Sequence, residues 1–221
     1  MEYPFIMQEK EKSLFKMILK GAKSYLEFGM GGSTIYATNF PQIKTYSIDS
    51  SIEWIAQMRT HEEIVNAEAE SRLQLIHVDI GPTKGWGYPL DESHKHLFPM
   101  YSSSCFEAIP KNKIDTVLID GRFRVACGLK TIEHCHNNNN LFIMMHDFWD
   151  RRYYHILLKY LKEVESALTL GVFRVQDGID MKELAKDYEK YKFLPERKKE
   201  AHYNVGFSIC ASTKRLFVLL F

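Results

Sequence analysis

The turn Glu27-Phe28-Gly29-Met30-Gly31-Gly32-Ser33-Thr34 holds the residue types that let a backbone approach a nucleoside closely. Gly29 and Gly31 have no Cβ, so the chain can bend tightly there, and Ser33 and Thr34 bring hydroxyls suited to capping a following helix. About twenty residues further on, Thr45-Tyr46-Ser47-Ile48 ends in Asp49, where a carboxylate would accept both hydroxyls of a ribose. Three more apolar runs end in polar groups: residues 73–78 at Asp79-Ile80, residues 115–119 at Asp120-Gly121, and residues 141–145 at His146-Asp147. The last two pairs suit proton handling, because an imidazole near its ordinary pKa is neutral at pH 7 and can act as a general base. Asp120 and Asp147 alternatively suit a divalent cation that acidifies an acceptor hydroxyl. A histidine that merely satisfies a backbone carbonyl at a strand end is the structural alternative for His146.

Such end groups converge only if their strands lie side by side and parallel, since the carboxyl ends of an open parallel sheet border one crevice. The runs are continuously apolar rather than alternating, as strands covered by helices on both faces are. The intervening pattern predicts helices over residues 5–20, 33–39, 51–58 and 62–70, with Ser50 or Ser51 as a cap and Pro41 ending the second. Further helices are expected over 122–130, 151–161 and 181–193, and Asn137 to Asn140 reads as a turn. Residues 163–167 and 170–175 read as an antiparallel pair around Thr169. The expectation is an α/β protein with a Rossmann-like, doubly wound, mostly parallel seven-stranded sheet finished by antiparallel pairing. No linker divides the 221 residues, so one domain is expected, its core over about residues 21–176.

With 29 basic and 28 acidic residues the formal charge is +1, which leaves no electrostatic footprint for nucleic acid. The four cysteines lack metal-type or redox-type spacing and no signal peptide precedes them, so a reducing cytoplasm is expected. His134-Cys135-His136 points in different directions on a helix and suits a structural role. No apolar run reaches the ~20 residues of a membrane span. The apolar end, Leu216 to Phe221, reads as an extra strand or a contact between subunits of a homodimer, and residues 196–200 as a solvated segment.

Gly-x-Gly-x-x-Gly would indicate a nicotinamide site, but the sixth position here is Thr34. Glu27-x-Gly29-x-Gly31 followed by strand-terminal Asp49 instead resembles the first two motifs of class I S-adenosylmethionine-dependent methyltransferases. Carried onto this chain, the resemblance implies a cofactor site built from Glu27, Gly29, Met30, Gly31, Ser33, Thr34, Asp49, Ser50, Asp79, Ile80 and Asp120, with Asp79-Ile80 beside the adenine. It implies catalytic roles for Asp120, His146 and Asp147 where the methyl meets the acceptor. Metal-dependent catechol-type relatives use carboxylates at these two strand ends, which implies Mg or Mn at Asp120 and Asp147. Their usual Asp-Asn pair is here His146-Asp147.

Asp120-Gly121-Arg122-Phe123-Arg124 and His146-Asp147-Phe148-Trp149 resemble a branch found beside or fused to glycosyltransferases in bacteria and large algal viruses. That resemblance spans about residues 25–175 and implies O-methylation of a sugar in a glycan, in association with glycosyltransferases. Residues 81–89, rich in glycine and proline, read as an irregular loop that brings Trp86 and Tyr88 to the acceptor, or else seals the surface. Arg122 and Arg124, with Arg151 and Arg152, flank the same strand ends and suit an anionic or polyhydroxylated acceptor. Two other readings stay open: N- or O-methylation of another small molecule or a protein, and a cofactor-binding module without catalysis.

Overall fold

The computed structural model describes residues 5–195; the segment 196–200, Cys210 and the apolar run 216–221 lie outside the described residues. In chain order the strands are β1 (Ser24–Phe28), β2 (Lys44–Asp49), β3 (Leu73–His77), β4 (Thr83–Lys84), β5 (Tyr88–Pro89), β6 (Thr116–Ile119), β7 (Phe142–Met145), β8 (Leu161–Ala167) and β9 (Leu170–Val175). Seven of them form one sheet in the order β3-β2-β1-β6-β7-β9-β8. Pairing is parallel from β3 to β7, and β9 and β8 close the sheet antiparallel. The mostly parallel Rossmann-like architecture expected from the apolar runs is therefore present.

β1 sits between β2 and β6, so the strand order reverses direction at the glycine turn, which is where open α/β sheets bind ligands. The register sets the site. Phe28 lies level with Ile48 on one side and Ile119 on the other, which puts Asp49 and Asp120 on either side of Gly29. Gly29 N–H donates to the Ile48 carbonyl and Asp120 N–H to the Phe28 carbonyl, both at 2.9 Å.

Helices cover both faces. α1 (Glu9–Leu19) lays Leu14, Phe15 and Leu19 against Tyr25, Leu118, Met144 and Val172. Burying a side chain the size of fully buried Phe15 is worth about 1.5–3 kcal/mol, which fixes this helix to the sheet. α2 (Gly32–Thr38) follows the glycine turn, and α3 (Ile52–Met58) and α4 (Glu62–Ala69) join β2 to β3. Ser51 caps α3 by accepting the Trp54 N–H at 3.1 Å. On the other face α7 (Arg124–Cys135) and α8 (Met181–Tyr191) pack with Leu26, Phe28, Val117 and Ile143. His134 meets the Ile109 carbonyl at 2.8 Å, His136 meets the Glu133 carbonyl, and Cys135 is buried, so that triplet is structural as expected.

Four segments differ from the sequence pattern. α1 begins at Glu9 rather than Phe5, because Gln8 N–H donates to the Glu11 carboxylate and ends the helix there. Residues 81–89 are not an irregular loop. β4 and β5 form a short hairpin around Gly85-Trp86-Gly87, with positive φ at Trp86 (66°) and Gly87 (69°). Residues 98–108 form α5 (Phe98–Ser103) and α6 (Cys105–Ala108), a start signalled only by Pro99 in the first turn. Residues 152–159 coil as a 3-10 helix where an α-helix was expected.

Candidate active site

The glycine turn joins β1 to α2 above a buried carboxylate. Gly29 has φ 92°, and a Cβ placed on it would lie 2.6 Å from the Gly121 backbone, so only glycine lets the ends of β1 and β6 meet. Gly31 is different: its φ of −179° is extended and a Cβ there would meet no protein atom within 4 Å. Below the turn, Glu27 is fully buried and accepts hydrogen bonds from Ser33, from Thr34 at 2.6 Å and from Ser47 at 3.0 Å. Thr34 also accepts the Gly31 N–H at 2.9 Å. Burial pushes the Glu27 carboxyl up to about 7 despite those hydroxyls. Glu27 and Thr34 thus support the turn from beneath and do not line the cleft, whereas Gly29, Met30, Gly31 and Ser33 do.

Asp49 and Ser50 line the cleft from the end of β2. One Asp49 oxygen accepts the Ser51 N–H at 2.9 Å, and burial raises its carboxyl above the ordinary range against the backbone N–H groups that stabilise its charge. Hydroxyl donors brought by a ligand would favour the charged form further. Trp54, unflagged by the sequence pattern, joins this wall by donating its indole N–H to the Met30 carbonyl at 2.9 Å. Asp79 and Ile80 are not part of it. Asp79 accepts the Gly81 N–H at 2.8 Å on the exposed side, and Ile80 is fully buried.

Across the cleft the ends of β6 and β7 hold full charges. Arg124, 3% exposed at its side chain, bridges Asp120 at 2.9 Å and Asp147 at 3.3 Å and donates to the carbonyls of Asp120, Gly121 and His146. Arg151 reaches Asp147 at 2.6 Å. His146 places Nδ1 3.1 Å from Asp120 and Nε2 3.4 Å from Glu11, a residue of α1. Burial opposes a charge on His146, but the Asp120 bond and the carboxylates of Asp120 and Asp147 outweigh it and raise the imidazole above its ordinary value. His146 thus lies between two carboxylates, Asp120 at Nδ1 and Glu11 at Nε2, and the Asp120 side favours its charged form. Asp120 is held below the ordinary range: burial works against its charge, and Arg124, His146 and Arg122 overcome it.

Glu11 carried no signal in the sequence, where it is one of several acidic residues on an amphipathic helix. Only 1% exposed, it accepts from Thr169 N–H at 3.0 Å, Thr169 hydroxyl at 2.6 Å and Gln8 N–H at 2.9 Å. Those donors and His146 bring its carboxyl below the ordinary range in spite of burial. Arg124, expected to meet the acceptor, mainly ties the two strand ends together.

Asp120, His146 and Asp147 offer atoms within 4.8 Å of one another, a spacing a metal ion would accept. The two carboxylates are already paired with Arg124 and Arg151. A divalent ion held by Asp120, His146 and Asp147 would have to compete with those ion pairs.

Both halves line one cleft of about 1010 Å³. The β4–β5 hairpin bounds it: Gly87 lies close to Ser50, Tyr88 stacks under the Arg122 guanidinium at 4.2 Å, and Trp86 stands 77% exposed at the tip. Phe5, Ile6 and Met7 form the opposite rim, with Phe5 against Gly32 of the turn. This rim was also absent from the sequence reading.

No protein-family model matches the chain, and no curated protein matches it. Among solved structures, a methyltransferase-like protein from Silicibacter pomeroyi is 25% identical, with a TM-score of 0.74 over 88% of this chain and 99% of that one. The C-terminal domain of precorrin-6Y C5,15-methyltransferase from Rhodobacter capsulatus is more distant, at 11% identity and a TM-score of 0.48 over 77% of this chain and 90% of that domain. No helix among the described residues is long and apolar enough to cross a membrane. The chain has the Rossmann-like fold of the Silicibacter pomeroyi methyltransferase-like protein, with the glycine turn, Asp49 and the Asp120–His146 pair around one cleft.

Proposed function

We propose that the protein is an S-adenosylmethionine-dependent methyltransferase. The observation that carries this reading is the register that sets Asp49 and Asp120 on either side of Gly29 at the switch point of the sheet. The cradle supports this reading: Gly31 has open space on its Cβ side, the Asp49 carboxylate would accept ribose hydroxyls, and Trp54 and Met30 line the same cleft. When bound, S-adenosylmethionine supplies an electrophilic methyl group. The chain's own residues bind and orient. Glu27, caged by hydroxyls, keeps the turn in shape, and Arg124 holds Asp120 and Asp147 at fixed positions beside the acceptor half. Rigid placement of an acceptor behind the methyl can supply most of the acceleration.

For the acceptor we propose an oxygen nucleophile on a sugar of a glycan. The resemblance carried by residues 120–124 and 146–149 supports this, as does exposed Trp86 beside the cleft, whose indole face suits a sugar ring. Calorimetry with S-adenosylhomocysteine and NAD tests the cofactor assignment. S-adenosylhomocysteine should bind and NAD should not; saturable NAD binding without a response to S-adenosylhomocysteine would end the methyltransferase reading.

A further inference from the structure

The cofactor half of the cleft turns on one peptide group, the one that joins Met30 to Gly31. Side chains take both of its polar ends: the Met30 carbonyl accepts the Trp54 indole N–H at 2.9 Å, and the Gly31 N–H donates to the Thr34 hydroxyl at 2.9 Å. A peptide held at both ends has one orientation. What it leaves for a ligand is the open side of Gly31, where an added Cβ would meet no protein atom within 4 Å.

Trp54 is itself held in place. Its backbone N–H donates to the Ser51 hydroxyl at 3.1 Å, the Ser51 N–H donates to Asp49 at 2.9 Å, and the Met30 N–H helps to stabilise the Asp49 charge. These contacts close a ring from Met30 through Trp54, Ser51 and Asp49 back to Met30, which sets the glycine turn against the carboxylate at the end of β2. The Met30 side chain, 6% exposed, packs with Ile35, Ile55 and Met58, and Trp54 lies against the same cluster while it lines the cleft.

We infer that Trp54 is a positioning residue that keeps the cofactor cradle open by fixing the Met30 carbonyl to α3; this rests on the methyltransferase reading. Glycine at position 31 makes the peptide easy to turn, because positive φ costs a glycine little. Without the indole N–H the carbonyl loses a hydrogen bond, which water in the cleft replaces when the peptide turns. The turned carbonyl takes the side of Gly31 that the ligand needs, and the bond from Gly31 to Thr34 breaks with it. Asp49 then faces a cradle that no longer has room.

The test removes the donor and keeps the ring. Trp54→Phe deletes the indole N–H, and a second variant carries 3-benzothienylalanine at position 54, in which sulfur replaces the N–H and the shape is retained. Calorimetry should show S-adenosylhomocysteine bound about tenfold more weakly by both variants, as the loss of one hydrogen bond implies. Amide hydrogen exchange of the ligand-free protein reads the peptide itself: Gly31 should lose protection in both variants while the amides of β1 and β6 keep theirs. Wild-type affinity in the benzothienylalanine variant, or unchanged exchange at Gly31, overturns the inference, and if Trp54→Phe does not fold the isosteric variant decides alone. Protection lost throughout the sheet would mark general unfolding and overturns it too. Failure of the wild-type protein to bind S-adenosylhomocysteine is a separate result, which ends the methyltransferase reading and this inference with it.

Discussion

Two glutamates on opposite sides of the sheet's switch point expose almost no surface, yet their acidities move in opposite directions. Glu27, 0% exposed under the glycine turn, has only neutral hydroxyls for company and rises to about 7. Glu11, 1% exposed beside the strand ends, adds two backbone N–H donors and the His146 ring to one hydroxyl and is lowered. Deep burial outweighs the hydroxyls around Glu27, whereas Glu11, with less protein packed around it, has donors enough to outweigh its loss of water. The two halves of the cleft are built accordingly, the cofactor half on neutral hydrogen bonds around a carboxyl that can be uncharged, the acceptor half on fixed ions.

The contrast can be broken most severely at its hinge. Gly29→Ala drives a Cβ into the Gly121 backbone at positive φ and should abolish S-adenosylhomocysteine binding with a large loss of thermal stability. Gly31→Ala should leave the melting temperature nearly unchanged while weakening binding, which calorimetry on both variants separates. On the charged side, Glu11→Ala strands Thr169, Gln8 and His146 donors and should cost about 3–5 kcal/mol in denaturant unfolding. A cost near zero would mean that the ion cluster stands without α1.

The pH dependence sharpens the comparison, because the two glutamates have opposite signs. The folded value of Glu27 lies above its ordinary 4.5, so its contribution to stability is complete in acid and is lost as pH rises past about 7. Glu27→Gln should therefore flatten the decline in stability between pH 4.5 and about 7, an effect of up to about 3 kcal/mol. Glu11, lowered, contributes above its ordinary value and loses that contribution as pH falls through its folded one, so Glu11→Gln should flatten the acid limb instead. Opposite assignment of the two limbs by thermal melts would reverse the argument. Asp49→Ala should weaken S-adenosylhomocysteine by about 1–3 kcal/mol, read by calorimetry, without altering the acid limb. EDTA should have the smallest effect of all, leaving turnover unchanged, since the Asp120–His146–Asp147 cluster carries its own cations.

The sheet was legible because its signals are local: continuous apolar runs, a glycine turn, and polar residues at run ends. Asp49, Asp120, His146 and Asp147 could be placed in one cleft by that logic alone. What those residues touch could not. Glu11 meets Thr169 across 158 positions, a pairing that no local periodicity contains. Glu27 and Thr34 matched a cofactor motif but bond to each other beneath the turn, one from β1 and the other from the first turn of α2. Trp86 lines the cleft from a segment that reads as irregular, since a hairpin of two-residue strands leaves no alternation to detect.

The hook from Thr169 to Glu11 joins helix α1 to the β8–β9 turn, 158 positions further on. During synthesis on a ribosome, helix α1 and the strands after it can emerge long before residue 169, but until the β8–β9 turn arrives Glu11 lacks the donors that hold it against His146. The charged half of the cleft is thus completed only after most of the chain has been made. A fragment ending short of that turn would retain the glycine cradle and Asp49 but leave His146 without its clamp, so competence to position an acceptor arrives late in the life of the nascent protein.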